Sequence, residues 1–167
     1  MARVNPLRRE VRAGALAVMI ELDADGRLRS VKLPRKIPAD LDAGDLSGVI
    51  GELEKCELAQ DAPPFLAKAW EVMRRIPWGS AITYRELASA AGSPGASRAA
   101  GQACARNPLL LVVPCHRVLA EDGLGGFGCG LAWKAKLLEL ETERRPAMRR
   151  RSSASSLIAP CAAPGTT

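Results

Sequence analysis

Apolar residues in the first third of the chain are spaced as short strands followed by a helix. Residues 15–22 and 27–33 are strand-like runs on either side of the turn-forming sequence DADG, which is typical of a hairpin with a longer loop. Residues 34–44 contain two prolines, end at a glycine and favour a loop. Residues 45–60 then place apolar residues at helical spacing. Together these elements predict a short α/β unit.

The middle of the chain predicts three helices. Residues 64–76 carry apolar side chains along one helical face, at Phe65, Ala69, Val72, Met73 and Ile76. Thr83 and Glu86 form a capping-box pattern that favours a helix over residues 84–91. Residues 97–106 (SRAAGQACAR) favour another helix, with a face of small side chains. Two short helices joined by a glycine-containing turn occur in helix-turn-helix motifs and in ordinary helical hairpins, so spacing alone leaves both open.

The last third combines an apolar run, a glycine-rich stretch and a helix. Residues 109–113 have the length of a buried strand, and Pro114 ends it. The sequence GLGGFGCG at 123–130 suits close approach by a flat ligand, although it lacks the strand and helix context of a nucleotide-phosphate loop. Residues 131–143 predict a final helix whose apolar face carries Leu131, Leu137, Leu138 and Leu140.

Composition limits the classes of protein that these elements can belong to. The chain has 167 residues, 47% of them apolar, which suits one domain or a small domain beside a half-size partner. No apolar run approaches the roughly 18 residues that span a bilayer, and no signal-peptide cleavage site follows the N-terminus. Five cysteines without a CxxC motif, and one histidine, favour a reduced, cytoplasmic protein without a metal.

Positive charge is concentrated at the C-terminal end. The net charge is +6, and residues 144–167 contain five arginines and no acidic residue. Such a segment suits contact with nucleic-acid phosphates, yet it is also typical of a disordered, solubilising end. We predict a basic, disordered tail over residues 144–167 and favour the solubilising role for residues 152–167.

The residues with the clearest chemistry follow Pro114. Cys115 stands beside His116, the only histidine, and Arg117 adds positive charge. A thiol with a pKa of about 8.5 needs a base or a positive environment to act as a nucleophile. A cysteine at this place is also commonly a small buried hydrophobe. In a regular strand the two side chains point to opposite faces, so contact requires a turn at Pro114 or a bridging water, of which we favour the water.

Two further sets of charged residues have open interpretations. Glu139 and Glu141, on the last predicted helix, are either solvated surface charges or the source of a carboxylate that holds His116 in one tautomer. Arg98 and Arg106 belong to a helix of small residues that can approach a nucleic acid closely, and there they would reach phosphates or bases.

Four motifs, in chain order, resemble one known family: IPWGSAITYRELA, SRAAGQACARNP, VVPCHRV and GGFGCGLAWKAKLLELE. From about residue 64 to residue 141 the chain resembles the C-terminal domain of the O6-alkylguanine-DNA alkyltransferases, also called methylated-DNA–protein-cysteine methyltransferases. The resemblance implies an α/β chain. A short N-terminal α/β domain would occupy residues 1–62, and a mostly helical, catalytic domain with a winged-helix-like helix-turn-helix for DNA would occupy residues 63–143.

The resemblance also implies roles for residues near the thiol. Cys115 matches the alkyl acceptor, and His116 matches the residue that takes the thiol proton through a water. Glu141 matches the glutamate that orients this histidine, and Asn107 matches the asparagine that ends the recognition helix and braces the active-site segment. Neither a metal nor another cofactor is implied.

On the side of the DNA, Tyr84 matches the tyrosine that crowds a phosphate and helps to turn the nucleotide out. Arg98 matches the arginine that replaces the base in the stack, and Arg106 ends the same helix. Phe127 stands where tyrosine is frequent, and Gln102 stands where some members have a second glycine. The residues that match the alkylguanine pocket are Val118, Phe127 and Gly128.

The implied function is direct-reversal DNA repair. An alkyl group would pass once, irreversibly, from O6-alkylguanine in double-stranded DNA to Cys115, after the base has left the stack. The protein would act as a monomer, cytoplasmic and associated with the nucleoid when bound to DNA. Two alternatives are weighed against this function. An alkyltransferase-like protein binds lesions without transfer but lacks the acceptor cysteine, and a thiol hydrolase would turn over many times.

Overall fold

A three-stranded antiparallel sheet forms the first part of the molecule in a computed structural model that describes residues 7–59 and 61–143. Its strands are β1 (Leu7–Ala13), β2 (Leu16–Leu22) and β3 (Leu28–Lys32), with β2 in the centre. The predicted hairpin is confirmed, because β2 and β3 are joined at a turn in which Asp23 and Arg27 share a backbone hydrogen bond. The sequence did not predict β1, because this edge strand is largely exposed and lacks the apolar alternation of β2.

Helix α1 (Ala43–Leu53) covers the sheet and buries Leu46, Val49 and Leu53. Asp42 and Asp45 cap its first turn, and Asp45 also accepts a hydrogen bond from the backbone of Ala15 at the start of β2. The prediction of a helix as far as residue 60 is wrong. The chain beyond α1 becomes extended, and its backbone forms hydrogen bonds with Leu28 of β3. The edge strand supplies these backbone partners, and a longer helix could not use them.

In the described chain up to residue 143, four more helices follow: α2 (Pro64–Arg74), α3 (Tyr84–Ala90), α4 (Ser97–Ala105) and α5 (Leu131–Glu143). Helices α2, α3 and α4 pack on one another, and the Trp70 indole of α2 donates to the carbonyl of Ala103 in α4 at 2.9 Å. The capping box is confirmed, because the Thr83 hydroxyl accepts from the Glu86 amide and the Glu86 carboxylate accepts from the Thr83 amide. Two short parallel strands, β4 (Ile82–Thr83) and β5 (Val118–Leu119), place α3 next to the cysteine segment.

Residues 109–113 are buried but do not form the predicted strand. They lie in turns, Leu111 has a positive φ of 71°, and the only ladder-like contact in this described segment is one bridge between Leu109 and Val31. A short apolar run shows that a segment is buried, but its periodicity does not specify the backbone conformation. The predicted apolar face of α5 also needs one correction. Leu131 is 53% exposed, because it opens the helix at the surface.

The sheet and the helices share one apolar core. The amide of Val31 in β3 donates to the carbonyl of Pro108, and the Trp133 indole of α5 donates to the carbonyl of Pro34. Among the described residues the architecture is therefore a mixed α/β fold with a small sheet and five helices. None of the helices among residues 7–59 and 61–143 has both the length and the apolar character needed to cross a membrane. The predicted basic tail lies outside the described residues.

Candidate active site

Cys115 begins a short 3-10 turn, Cys115–Arg117, rather than ending a strand. Pro114 precedes this turn, so the backbone changes direction at the residue where the sequence analysis allowed a turn. Cys115 is only 4% exposed and is one of the residues that line a pocket of about 290 Å³. It is therefore held in the interior, where only a small group that enters the pocket can reach it.

The pocket walls are made mostly of small residues from α4 and from the glycine-rich loop. Two of the three predicted pocket residues, Phe127 and Gly128, line it, and Tyr84 of α3 forms part of its wall. The third, Val118, is fully buried and is not one of the lining residues in the described part of the chain. The complete lining is Tyr84, Gly101, Cys104, Ala105, Cys115, Gly126, Phe127 and Gly128.

His116 belongs to a buried cluster with Glu141 and Arg117. Its Nε2 lies 2.7 Å from Glu141 Oε1, and the Arg117 guanidinium donates to both oxygens of the same carboxylate at 2.8–3.1 Å. Arg117 also donates to the carbonyl of Ile76, and the Gly79 amide donates to Glu141 Oε2. Because an ionised carboxylate only accepts hydrogen bonds, Nε2 carries the ring proton and Nδ1 is left as the basic nitrogen.

Charge within this cluster is balanced. Burial alone would raise the pKa of Glu141, but the hydrogen bonds and charges of His116 and Arg117 outweigh it and lower that pKa to about 2. Burial also lowers the pKa of His116, and Glu141 opposes this only in part, so the imidazole is neutral near pH 7. The expectation that Arg117 supplies positive charge to the thiol is wrong, since its guanidinium is paired with Glu141.

Opposing effects act on the pKa of the Cys115 thiol. Burial raises the pKa of its thiol above the ordinary value, whereas hydrogen bonding from Asn107 and the positive charge of Lys134 act in the opposite direction. Asn107 also bridges the turns that precede the cysteine, because its side chain donates to the carbonyl of Val113 at 2.7 Å and accepts from the amide of Leu109 at 2.9 Å. The resting sulfur is therefore a protonated thiol that needs a base.

The structure adds Lys134, which the sequence analysis missed. Its side chain is fully buried, and its ammonium donates to the carbonyls of Val118 at 2.7 Å and Gly126 at 3.1 Å. The ammonium also lies 5.8 Å from the centre of the Tyr84 ring. A signal was present in the sequence: Lys134, Leu137 and Glu141 follow i, i+3, i+7 spacing, which places all three on the inward face of α5.

The predicted DNA-contacting arginines lie away from the buried cluster. Arg98 in the first turn of α4 and Arg106 just after its end are both exposed, while the side of α4 between them contributes to the pocket wall. Tyr84 is half-buried at the start of α3. Across residues 7–59 and 61–143, no group of three or more His, Cys, Asp or Glu side chains is placed to hold a metal ion.

Comparisons with known proteins agree on one family. The family model described as "6-O-methylguanine DNA methyltransferase, DNA binding domain" matches residues 64–143. A methylated-DNA–protein-cysteine methyltransferase of Saccharolobus islandicus is 45% identical over 83 residues, which are 50% of this chain and 54% of that protein. The chain thus matches about half the length of this relative. One from Mycobacterium bovis is 39% identical over 117 residues, which are 64% of this chain and 71% of that protein.

Solved structures extend the similarity to the first part of the chain. An O6-methylguanine methyltransferase of Mycobacterium tuberculosis has a TM-score of 0.67 and 29% identity, and the match covers 86% of this chain and 97% of that one. The Mycobacterium tuberculosis protein OGT in complex with DNA gives a TM-score of 0.66 at 30% identity, over 84% and 95% of the two chains. The sequence motifs, the fold and these relatives together show that the chain belongs to the methylated-DNA–protein-cysteine methyltransferase family.

Proposed function

We propose that this protein repairs O6-alkylguanine in double-stranded DNA by a single, irreversible transfer of the alkyl group to Cys115. The observation that carries the proposal is a buried cysteine that lines a pocket, next in sequence to a neutral histidine whose tautomer is set by a carboxylate. The relatives named as methylated-DNA–protein-cysteine methyltransferases, and the related structure that contains DNA, support it. No cofactor takes part.

The first step is activation of the thiol. Because burial holds the pKa of Cys115 above its usual range, the thiolate forms only when a base accepts the proton. His116 supplies Nδ1 for this purpose, through a bridging water, while its Nε2 stays hydrogen-bonded to Glu141. The ionised Glu141 then stabilises the imidazolium that forms, and Arg117 keeps that carboxylate in place. Asn107 holds the turns on the other side of the cysteine.

The second step is the transfer itself. The Cys115 sulfur forms a bond to the alkyl carbon as the bond between that carbon and guanine O6 breaks, and the electron pair stays with the purine. The proton that left the thiol returns from His116 to the purine, which takes it at ring N1 and leaves as ordinary guanine. The product on the protein is a thioether. Since water does not hydrolyse a thioether, each molecule acts once, and no oxidant or reductant is needed.

Access to the thiol requires the nucleotide to leave the helix. A base in a duplex cannot enter a pocket with a buried end, so it must be extruded at a cost of a few kcal/mol. In this proposal α3 and α4 act as a helix-turn-helix on the catalytic domain (63–143), and the small residues of α4 let it approach the minor groove. Tyr84 crowds the phosphate, Arg98 fills the vacated place in the stack, and Arg106 contacts the backbone.

The proposed pocket holds the alkylated base by shape. The ring of Phe127 offers an apolar surface, and it lacks a hydroxyl that could donate to the purine. Tyr84 provides a phenol instead, and burial raises the pKa of that phenol, so it remains a donor at neutral pH. The buried carbonyl of Val118 lies in the same region, but it already accepts a hydrogen bond from the Lys134 ammonium. The protein would work as a cytoplasmic monomer, with residues 1–62 as a short α/β domain beside the catalytic one.

The decisive experiment is a stoichiometry measurement. Protein incubated with a duplex that contains one O6-methylguanine should gain the mass of one methyl group, located on Cys115 by peptide mapping, and Cys115→Ser should gain none. The amount of repaired DNA should not exceed the amount of protein. Lesion binding without a mass gain would indicate the non-catalytic alkyltransferase-like alternative. Product in several-fold excess over protein would instead indicate a thiol hydrolase.

A further inference from the structure

Two of the residues that line the pocket are cysteines. One is Cys115, and the other is Cys104, which lies in the last turn of α4. Cys104 is a half-buried free thiol, and the proposed alkyl transfer gives it no role. A second thiol beside a reactive one allows a reaction that a single thiol cannot complete, because two thiols together can be oxidised by two electrons to a disulfide.

Asn107 is hydrogen-bonded to both cysteines. Its backbone amide donates to the carbonyl of Cys104 at 3.3 Å, and its side chain is hydrogen-bonded to the thiol of Cys115. The segment that joins the two cysteines, residues 106–114, contains neither helix nor strand. Cys104 and Cys115 are therefore held by the same residue and face the same cavity.

The two thiols differ in how easily they ionise. Burial, and then the negative charge that Cys115 can carry, raise the pKa of Cys104 to about 12, while the positive charge of Lys134 acts in the opposite direction. Cys104 therefore stays a thiol while Cys115 reacts as the nucleophile. Once Cys115 has reacted and is uncharged, the repulsion between the two sulfurs is gone and Cys104 is easier to deprotonate.

Cys129 also acts electrostatically on Cys115, so it is the alternative partner for this thiol. Its sulfur is hydrogen-bonded to the backbone of Leu33, next to the end of β3. Within the described chain, Cys129 is not one of the residues that line the pocket, whereas Cys104 is. A group formed on Cys115 inside the pocket therefore meets Cys104.

We propose that Cys104 is a resolving cysteine, which forms a disulfide with Cys115 after a small hydroperoxide has entered the pocket and oxidised Cys115. This inference goes beyond the proposed repair function, since it requires neither DNA nor an alkyl group. The residues that carry it are the two thiols of one pocket, Asn107 that is bonded to both, and His116 as the base for Cys115.

The reaction consumes one hydrogen peroxide for each disulfide. The Cys115 thiolate attacks one peroxide oxygen and the O–O bond breaks. The hydroxide that leaves takes the proton accepted by His116, which gives water and a sulfenic acid on Cys115. The Cys104 sulfur then bonds to the Cys115 sulfur as the S–O bond breaks, and the hydroxide leaves with the Cys104 proton as a second water. Two thiols lose two electrons, and the peroxide gains them.

The disulfide would preserve a nucleophile that can be used only once. A dithiol reductant restores both thiols from a disulfide. Without a resolving thiol, a sulfenic acid can react with more peroxide to give a sulfinic acid, which such a reductant does not reverse. Cys104 would therefore make oxidation of Cys115 reversible.

The first test is a peptide map of the full chain without DNA. Reduced protein is treated with hydrogen peroxide, its remaining thiols are blocked with N-ethylmaleimide, and it is digested with trypsin without reductant. Trypsin separates Cys104 (residues 99–106), Cys115 (107–117) and Cys129 (118–134), so each disulfide has a distinct mass. We expect peptides 99–106 and 107–117 to be joined. Oxidised Cys115 with a blocked Cys104, or Cys115 joined to another cysteine, would overturn the proposal.

The second test compares Cys104→Ser with wild type, and Cys129→Ser is the matched control near the same thiol. After peroxide and then dithiothreitol, the fraction of Cys115 that iodoacetamide labels, relative to untreated protein, should be at least about fivefold lower in C104S than in wild type. C129S should match wild type. If C104S does not fold, Cys104→Ala replaces it. Equal recovery in C104S and wild type, or poor recovery in C129S, would contradict the role of Cys104.

The third test concerns the order of the two steps. In Cys115→Ser, Cys104 should remain a free thiol under the same peroxide treatment, and its oxidation there would refute Cys115 as the thiol that reacts first. These outcomes are separate from those for DNA repair. Wild type that forms the disulfide but takes no methyl group from O6-methylguanine duplex loses only the proposed function, whereas wild type that takes the methyl group but forms no disulfide loses only this inference.

Discussion

Helix α5 carries two buried charges of opposite sign, and their surroundings differ. Glu141, near its end, is surrounded by donors: His116, Arg117 and the amide of Gly79. Lys134, near its start, has only neutral carbonyls as hydrogen-bond partners in the described structure. The Glu141 site is charge-balanced and therefore rigid, which suits a group that holds a base in one orientation. The Lys134 site keeps an unbalanced charge and contacts Gly126 in the wall of the pocket.

The largest expected effect comes from removal of the Glu141 charge. Glu141→Gln should lower the free energy of unfolding by about 3–5 kcal/mol, because it leaves the buried Arg117 guanidinium unpaired. It should also slow alkyl transfer, since the imidazolium loses its counter-charge. Chemical denaturation measures the first effect and single-turnover kinetics the second. Glu139→Gln is the control on the same helix and should change the free energy of unfolding by less than about 0.5 kcal/mol.

A second prediction separates the base from the structural role of the cluster. His116→Gln should reduce the transfer rate by about 10²–10⁴-fold, because the thiol then lacks its proposed general base. The Arg117–Glu141 pair stays intact in this variant, so the loss of stability should be smaller than that of Glu141→Gln. Transfer at close to the wild-type rate would show that another group accepts the thiol proton.

Acid should destabilise the balanced cluster in two stages. The pKa of His116 is lowered in the folded state. Its contribution to the free energy of unfolding is therefore complete above its unfolded pKa of about 6.5 and is lost as pH falls below that value. Glu141, whose pKa falls from 4.5 to about 2, contributes stability above pH 4.5 that is lost between these values, on the order of 3 kcal/mol. Denaturation curves collected from pH 7 to pH 2 measure both stages. In E141Q the lower stage should be absent.

The smallest effect is expected from substitution of Asn107, an uncharged side chain that is hydrogen-bonded to the turns before Cys115. Asn107→Ala removes two hydrogen bonds to the buried turns before Cys115, and we expect the free energy of unfolding to fall by about 1–3 kcal/mol. Because no charge is left unpaired, this loss should be smaller than that of E141Q. Thermal and chemical unfolding of Asn107→Ala and E141Q measure the two losses of free energy of unfolding under the same conditions. A larger loss in Asn107→Ala than in E141Q would contradict the ranking of charged over neutral contacts.

Local sequence signals predicted elements that depend on neighbouring residues. The capping box at Thr83 and the hairpin turn at Asp23 involve atoms a few residues apart, and both are present in the structure. The apolar run at residues 109–113 was correctly predicted to be buried but wrongly predicted to be a strand. Its conformation depends on Asn107 and on contact with Val31 of a distant strand.

For the same reason, the sequence predicted site features that are close together in the chain but not those that are far apart. Cys115 and His116 are adjacent in the chain, so the sequence suggested directly that they act together, and the motifs around them indicated the family. The partner of Arg117 lies 24 residues further on, so its neutralised charge became visible only in the structure. The roles assigned to Tyr84, Arg98 and Arg106 on DNA stay predictions.

The amino-acid sequence by itself determined the helix caps, the hairpin, the family and the adjacent residues Cys115 and His116 of the proposed site, because each is written in a short stretch of chain. Only the tertiary structure decided which charges are neutralised and which are not. Arg117 and Lys134 are both basic residues within apolar surroundings, yet one meets Glu141 and the other meets carbonyl groups. That difference depends on how α5 packs against the cysteine turn, since the strength of a charge inside a protein is set by the atoms that folding brings beside it.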